Sequence, residues 1–305
     1  MNLPLKSQMN SQTHDRSILS RGGACSPRRK FPAHSLRRIA CLSLITALIL
    51  AAFVSLSAIS PTPVQAANQP TASPDQSRVP ILLELFTSEG CSSCPPVDDF
   101  VRRMDQNQPV TGAELIVLSE HVDYWDHDGW KDKYSSAQFT ERQNGYVHAL
   151  NLQTAYTPQM ILDGYLELKG NTSEIEQTFA KALKAQKIPV RIASASIEAP
   201  SQLKVRIEAG GAEKHGGAVW VAVALDHAAS QVSAGENSGR QLQHVAVVEE
   251  LRKIGKLDKG KSFSQDVVIK LKPDTDPKNL RIIAFVQEPN EGKVLGVAGV
   301  RVSNP

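Results

Sequence analysis

Cysteine is scarce in this chain, 4 residues in 305, too few for a small fold stapled by a dense disulfide framework. A Gly-rich phosphate loop between a strand and a helix is also missing, so no nucleotide or nicotinamide cofactor is expected. Glycine and proline number 19 and 18, which excludes collagen and low-complexity chains. A basic excess is lacking where it would matter. The formal net charge is +3, but residues 1–66 hold 8 of the 34 Lys+Arg and 1 of the 31 Asp+Glu, leaving 26 bases against 30 acids in the remainder. That balance argues against a nucleic-acid partner.

What the chain does have begins at its N-terminus. Ile39 to Ile59 carries no charge, follows basic residues, and precedes Pro61-Thr-Pro-Val-Gln-Ala66-Ala67. This basic, apolar, small-residue order is that of a secretory signal, with cleavage expected after Ala66. Residues 1–66 are therefore read as leader and signal peptide, and the rest as periplasmic or secreted. An uncleaved run of this length would instead tether the protein to a membrane, with the same side exported.

Residues 67–78 are Pro- and Ser-rich and read as a linker. Ile81-Leu-Leu-Glu-Leu-Phe86 then reads as a buried strand. Val97, Phe100, Val101 and Met104 recur at helical spacing behind Pro95-Pro96, which fit a first helical turn because proline's missing N–H is not needed there. Glu114–Leu118 predicts a second strand, Ser135–Asn151 a helix, Thr157–Gly164 and Tyr165–Lys169 a hairpin, and Asn171-Thr-Ser-Glu174 a helix start. After residue 188 the pattern becomes alternating. Six or more strands joined by Gly-, Asn- and Pro-bearing turns predict an antiparallel β-sandwich-like domain over 189–305, with one short helix near Val247–Ile254. An α/β domain over 79–188 precedes it.

Cys91-Ser-Ser-Cys94 stands where the first strand hands over to the first helix. A helix N-terminus offers unsatisfied N–H groups and partial positive charge, which favour a thiolate at Cys91 and leave Cys94 to resolve a mixed disulfide. Other chemistries compete. A purely structural bridge would close a loop of only four residues and so restrict the unfolded chain by about 2 kcal/mol, less than longer loops give. Zinc would need two more Cys or His ligands, and no second Cys pair exists. Copper would need one or both thiols and a His, such as His121 or His127.

Leu83-Glu-Leu-Phe-Thr-Ser-Glu-Gly-Cys-Ser-Ser-Cys-Pro-Pro96, with His121-Val-Asp-Tyr-Trp-Asp126, Tyr156-Thr-Pro-Gln-Met160, Gly235–His244 and Val294–Ala298, resembles a family of exported bacterial proteins known as a domain of unknown function with a thioredoxin-like fold. The resemblance implies a thioredoxin-like fold for 79–188. It further implies Cys91 as attacking thiol, Cys94 as resolving thiol, and Thr157-Pro158 as the cis-proline segment that lines the substrate cleft. Two departures are visible: Gly90 stands where thioredoxin carries Trp, and Ser92-Ser93 where it carries Gly-Pro.

Glu84 interrupts an apolar strand seven residues before Cys91. A buried carboxyl there would have a raised pKa and could exchange a proton with Cys94; the other reading is a side chain at a sheet edge or salt-bridged to Arg or Lys. Glu89, nearer in sequence, would oppose thiolate formation. The loop Glu120–Trp130 concentrates two His, three Asp, one Tyr and two Trp, so His121, Tyr124 and Trp125 are candidates for a substrate-facing wall with Thr157. Asp123, Asp126 and His127 join His121 as conceivable metal ligands there. Arg240 and His244 read as stabilising a turn and a helix start. The reading as a whole is an exported thiol-disulfide oxidoreductase acting on protein thiols or disulfides, with a metal-binding chaperone or a non-catalytic partner-binding protein as alternatives.

Overall fold

A computed structural model describes residues 78–199, 201–211 and 216–302. The expected leader and signal peptide and nearly all of the expected linker lie outside the described residues. Among those described, no helix is long and apolar enough to cross a membrane.

The chain opens with β1 (Val79–Thr87), α1 (Pro95–Asn107), β2 (Ala113–His121), α2 (Ala137–Ala149), β3 (Gln159–Leu162), β4 (Leu166–Glu167) and α3 (Thr172–Ala182). β1 and β2 run parallel in unbroken register from Val79 opposite Ala113 to Thr87 opposite His121. β3 returns antiparallel on the other side of β1 and pairs with β4. Parallel strands need a crossover, usually helical, and bury both faces, which is why β1 and the middle of β2, Leu115–Leu118, are nearly continuous apolar runs. Ile81, Leu83 and Leu85 face α1 and α3 through Val101, Met104 and Phe179. Leu82, Ile116 and Leu118 point the other way, toward Phe139 of α2. Asn171 caps α3 in a reciprocal capping box with Glu174, as its sequence suggests.

The second half supplies β5 (Val190–Ala199), β6 (Gln202–Ala209), β7 (Gly217–Gln231), β8 (Gln241–Leu257), β9 (Phe263–Lys270), β10 (Leu280–Gln287) and β11 (Val294–Arg301). Two sheets result: a mixed one in the order β11-β10-β7-β8-β2-β1-β3-β4, and an antiparallel one in the order β5-β6-β9. The small sheet lays Leu203, Val205, Ile207 and Ile269 against Val219, Val221, Val223, Ile282 and Ala284 of the large one. Sheet-on-sheet packing is thus present in 189–302, yet the change of pattern at residue 188 brings no break in the large sheet. β8 runs parallel beside β2, meeting it at Ser119 and Val247, and the Ser119 hydroxyl donates to the Val245 carbonyl at 2.7 Å. All described residues fall in one compact unit.

The helix expected near Val247–Ile254 is corrected: those residues lie within the 17-residue strand β8. β8 pairs with β7 along almost its whole length, with register shifts at Val219/Trp220 and Val223/Ala224. Such shifts disturb the alternation of side chains and make a strand look helical in sequence, while ladder pairing decides the outcome.

Candidate functional site

β1 ends at Thr87, and the turn Ser88–Ser93 leads into α1, where Cys94 occupies the N-cap and Pro95 the first helical position. Cys91 and Cys94 are joined by a disulfide, and neither cysteine is exposed. Ser92 and Ser93 stand outside, and the Ser93 hydroxyl lies 3.3 Å from the Cys91 sulfur. The Thr157–Pro158 bond is cis, and the Ser93 hydroxyl donates to the Thr157 carbonyl at 3.5 Å. The turn is therefore wedged between the start of α1 and the segment before β3.

Trp125 holds the same place from the side. Its indole N–H donates to the Thr157 hydroxyl at 2.7 Å, and a β-carbon at position 90 would sit 3.1 Å from that of Trp125. Gly90 thus admits the close approach. Tyr124 is half-exposed, its hydroxyl 3.2 Å from Gln143 Oε1, and Tyr156 is similarly exposed. Trp125 and the Thr157–Pro158 segment lie against the Gly90–Ser93 turn, with Tyr124 beside Trp125, but His121 does not join them. It is fully buried, pointing inward with Nδ1 2.6 Å from Asp132 Oδ2.

Glu84 also departs from expectation. It lies on the face of β1 opposite the one that carries α1. Arg142 Nε donates to Glu84 Oε1 at 2.7 Å and the Tyr146 hydroxyl to Oε2 at 2.5 Å. The salt-bridged reading describes it, and it is not brought to Cys94. Glu120 sits in the same pocket, 3.5 Å from Arg142 Nε, with both carboxyl oxygens lacking hydrogen-bond partners. Burial and the charge of Glu84 push its pKa well up.

Beneath the disulfide lies a different cluster. Glu89, two residues before Cys91, accepts from the Trp130 indole at 2.8 Å and lies 3.4 Å from His244 Nε2. Asp98, one turn beyond Cys94, accepts from the Thr87 hydroxyl at 2.8 Å, with its other oxygen 3.8 Å from His244 Nδ1. The rings of His244 and His121 meet edge to face at 4.8 Å. Asp132 accepts from the backbone N–H groups of Glu89 and Tyr134 and from His121, and these outweigh burial to hold its pKa at about 2. Burial raises that of Asp98 despite the two His. For His121 burial works against the proton, but Asp132, with Asp98 and Glu89, outweighs it and raises the pKa. His244 therefore belongs to this cluster and not to a helix start. Nothing in the sequence connects its position on β8 with that of Asp98 on α1. Helical spacing of Cys94 and Asp98 was the one visible signal.

The second half of the chain also covers the turn. Asn237, between β7 and β8, is fully buried and its amide donates to the carbonyls of Glu89 and Cys91, both at 2.9 Å. Arg240 donates to the Asn237 amide oxygen at 2.8 Å, so it does hold a turn, and Glu236 accepts from Ser92 N–H at 3.1 Å. The loop acids have local duties: Asp123 accepts from Thr140, and Asp126 from Ser135 and the Asp132 N–H. Among the described residues, no three His, Cys, Asp or Glu side chains are grouped to hold a metal ion.

A mixed sheet extended by C-terminal strands, with a disulfide at its first strand-to-helix junction, defines the class. The chain belongs to the family described as "Protein of unknown function (DUF1223)", whose pattern matches residues 82–287. Protein AGR_C_4864 from Agrobacterium tumefaciens is similar in structure, with a TM-score of 0.58 and 27% identity over 75% of this chain and 97% of that one. A domain of the outer membrane lipoprotein Omp28 from Porphyromonas gingivalis matches at a TM-score of only 0.28 and 17% identity, over 39% of this chain and 89% of that one. No curated protein matches the chain.

Proposed function

We propose that this protein is an exported thiol-disulfide oxidoreductase with a thioredoxin-like portion, cycling Cys91 and Cys94 between disulfide and dithiol in protein substrates. The observation that carries the reading is the disulfide at the N-terminus of α1 set against the Thr157–Pro158 segment, whose Thr157 carbonyl the Ser93 hydroxyl reaches. The order strand, dicysteine, helix, strand, helix, cis-proline, hairpin, helix supports it, as does the sheet order β2-β1-β3-β4 with β1 and β2 parallel. The signal-like run before Ala67 agrees with a compartment where disulfides persist.

Both sulfurs are buried, so exchange requires the Ser88–Ser93 turn to loosen from Asn237 and admit a thiolate. Tyr124, Trp125 and Thr157 then offer an aromatic and hydrogen-bonding wall for the substrate segment. The copper-binding alternative has less support, because His121 is turned into the buried cluster and, among the described residues, no three His, Cys, Asp or Glu side chains are grouped to hold a metal ion. A non-catalytic partner-binding protein would keep its partner without the cysteines. The test is a dithiol oxidation and disulfide reduction assay with wild type and Cys91→Ser. The expected result is loss of exchange in the variant at unchanged fold. Equal activity, or partner capture indifferent to both cysteines, overturns the reading.

A further inference from the structure

Resting on the oxidoreductase reading, we propose that the buried cluster of Glu89, Asp98, His121, Asp132 and His244 stores the proton that balances the charge of the reduced pair, with Asp98 and His244 as its positioning residues. The chemistry sets the need. An incoming dithiol sends a thiolate onto Cys91 sulfur, and the S–S electron pair leaves on Cys94 sulfur. The second substrate thiolate then attacks the substrate sulfur of the mixed disulfide and expels Cys91 as thiolate. Two electrons have moved from the dithiol to the pair, and two protons are released by the substrate. Cys94, buried, takes one. Cys91 at a helix N-terminus is stabilised as the thiolate, so the second proton needs another acceptor.

The cluster is built for that role. Every acid in it is paired among the described residues only with histidine, so its positive charge is itself titratable. It faces the pair from both sides in sequence, through Glu89 ahead of Cys91 and Asp98 behind Cys94, whose N–H donates to the Cys94 carbonyl at 3.0 Å. The groups around it come from every neighbouring element: Glu89 after β1, Asp98 on α1, His121 on β2, Asp132 and Tyr134 before α2, and His244 on β8. Tyr134 stacks edgewise on both histidines, with Lys133 over its outer face. Buried proton sites remain open within it: Glu89 Oε1, His121 Nε2 and both His244 nitrogens have no hydrogen-bond partner. The His244 contacts lie at ion-pair distance without a closed hydrogen bond, so a change of protonation there breaks no hydrogen bond. The raised pKa values of Asp98 and His121 agree with this.

The experiment is an NMR titration of the imidazoles of His121 and His244, assigned by His→Gln variants, in the oxidised protein and in protein reduced with dithiothreitol. We expect at least one of the two midpoints to rise by about one pH unit on reduction, a tenfold change in proton affinity, and Asp98→Asn to shrink that rise. Midpoints identical in the two redox states overturn the inference while leaving the oxidoreductase reading intact. A pair that dithiothreitol and oxidised glutathione cannot cycle removes both. Because the decisive comparison uses wild type, a variant that fails to fold does not affect it.

Discussion

Two buried charge clusters flank the same parallel strand pair, one on each face, and they are built on opposite principles. On the α2 side, Glu84 and Glu120 share Arg142, whose charge is permanent and which lies over the rings of Tyr146, Trp220 and Phe285. Arg142 further donates to Gln287 and Tyr146. On the disulfide side the only cations paired with the acids among the described residues are histidines: His121 closely with Asp132, and His244 at 3.4 Å from Glu89 and 3.8 Å from Asp98. In the first, the cation is fixed over the whole accessible pH range, since the Glu84 carboxylate outweighs burial and holds the guanidinium charged. The second can gain or lose protons. The difference separates a structural cluster from one suited to chemistry, although both hold carboxyl groups with raised pKa values.

Removing the permanent cation should give the largest effect. Arg142→Met leaves the Glu84 carboxylate buried beside Glu120 with no counter-ion, and breaking such a pair costs about 3–5 kcal/mol. Urea unfolding should show that loss, while the folded fraction still exchanges thiols at the wild-type rate. Loss of exchange at full stability would reverse the two roles and return Glu84 to the site.

The disulfide-side cluster should instead show itself in the pH dependence of stability. Asp132 has a folded pKa of about 2, below its ordinary value, so the unfolded chain binds more protons between the two. Its contribution is present above the unfolded pKa and is lost as pH falls through about 2. Asp98 works in the opposite sense: its raised folded pKa favours the folded state at low pH, and that contribution disappears as pH rises. Comparing wild type with Asp132→Asn isolates the first term. Between pH 4 and pH 2 the wild type should lose about 2 kcal/mol more than the variant. Parallel stability curves would mean that His121 does not hold Asp132 ionised.

The comparison also explains what could be read in advance. The dicysteine, its strand and its helix were legible because they depend on residues within one turn of each other, and the capping box of α3 likewise. The face of Glu84 was not read, because an apolar strand buried on both sides hides which neighbours share a face. Only the packing of Leu83 and Leu85 on α1 shows that Glu84 points away. His244 reads as part of a helix start for a different reason. Its meeting with Glu89, Asp98 and His121 depends on β8 lying beside β2, a pairing across 126 residues marked by Ser119 and Val245. Alternating residues in β8 say that a strand exists, not which edge it joins. His121 was misplaced by its neighbours: Tyr124 and Trp125 do line the surface, but His121 is the last residue of β2 and turns inward.

The smallest predicted effect falls where the two halves touch at the disulfide. Asn237→Ala removes the amide that donates to the Glu89 and Cys91 carbonyls; the Cys91 carbonyl keeps the Cys94 N–H, so the Glu89 carbonyl is the buried acceptor left short of a partner. Such a loss costs at least about 1 kcal/mol, so unfolding should shift by about that amount. The same loss frees the Ser88–Ser93 turn, and a cover weakened by 1 kcal/mol opens about fivefold more often. Reduction of the disulfide by a small thiol should accelerate by that factor, whereas a matched change at Asn279, which bonds the His227 backbone far along the sheet, should leave the rate unchanged. If Asn237→Ala lowers stability without changing the rate, the β7–β8 loop is only a brace. Access to the sulfurs is then governed by Trp125 and Thr157 on the other side of the turn.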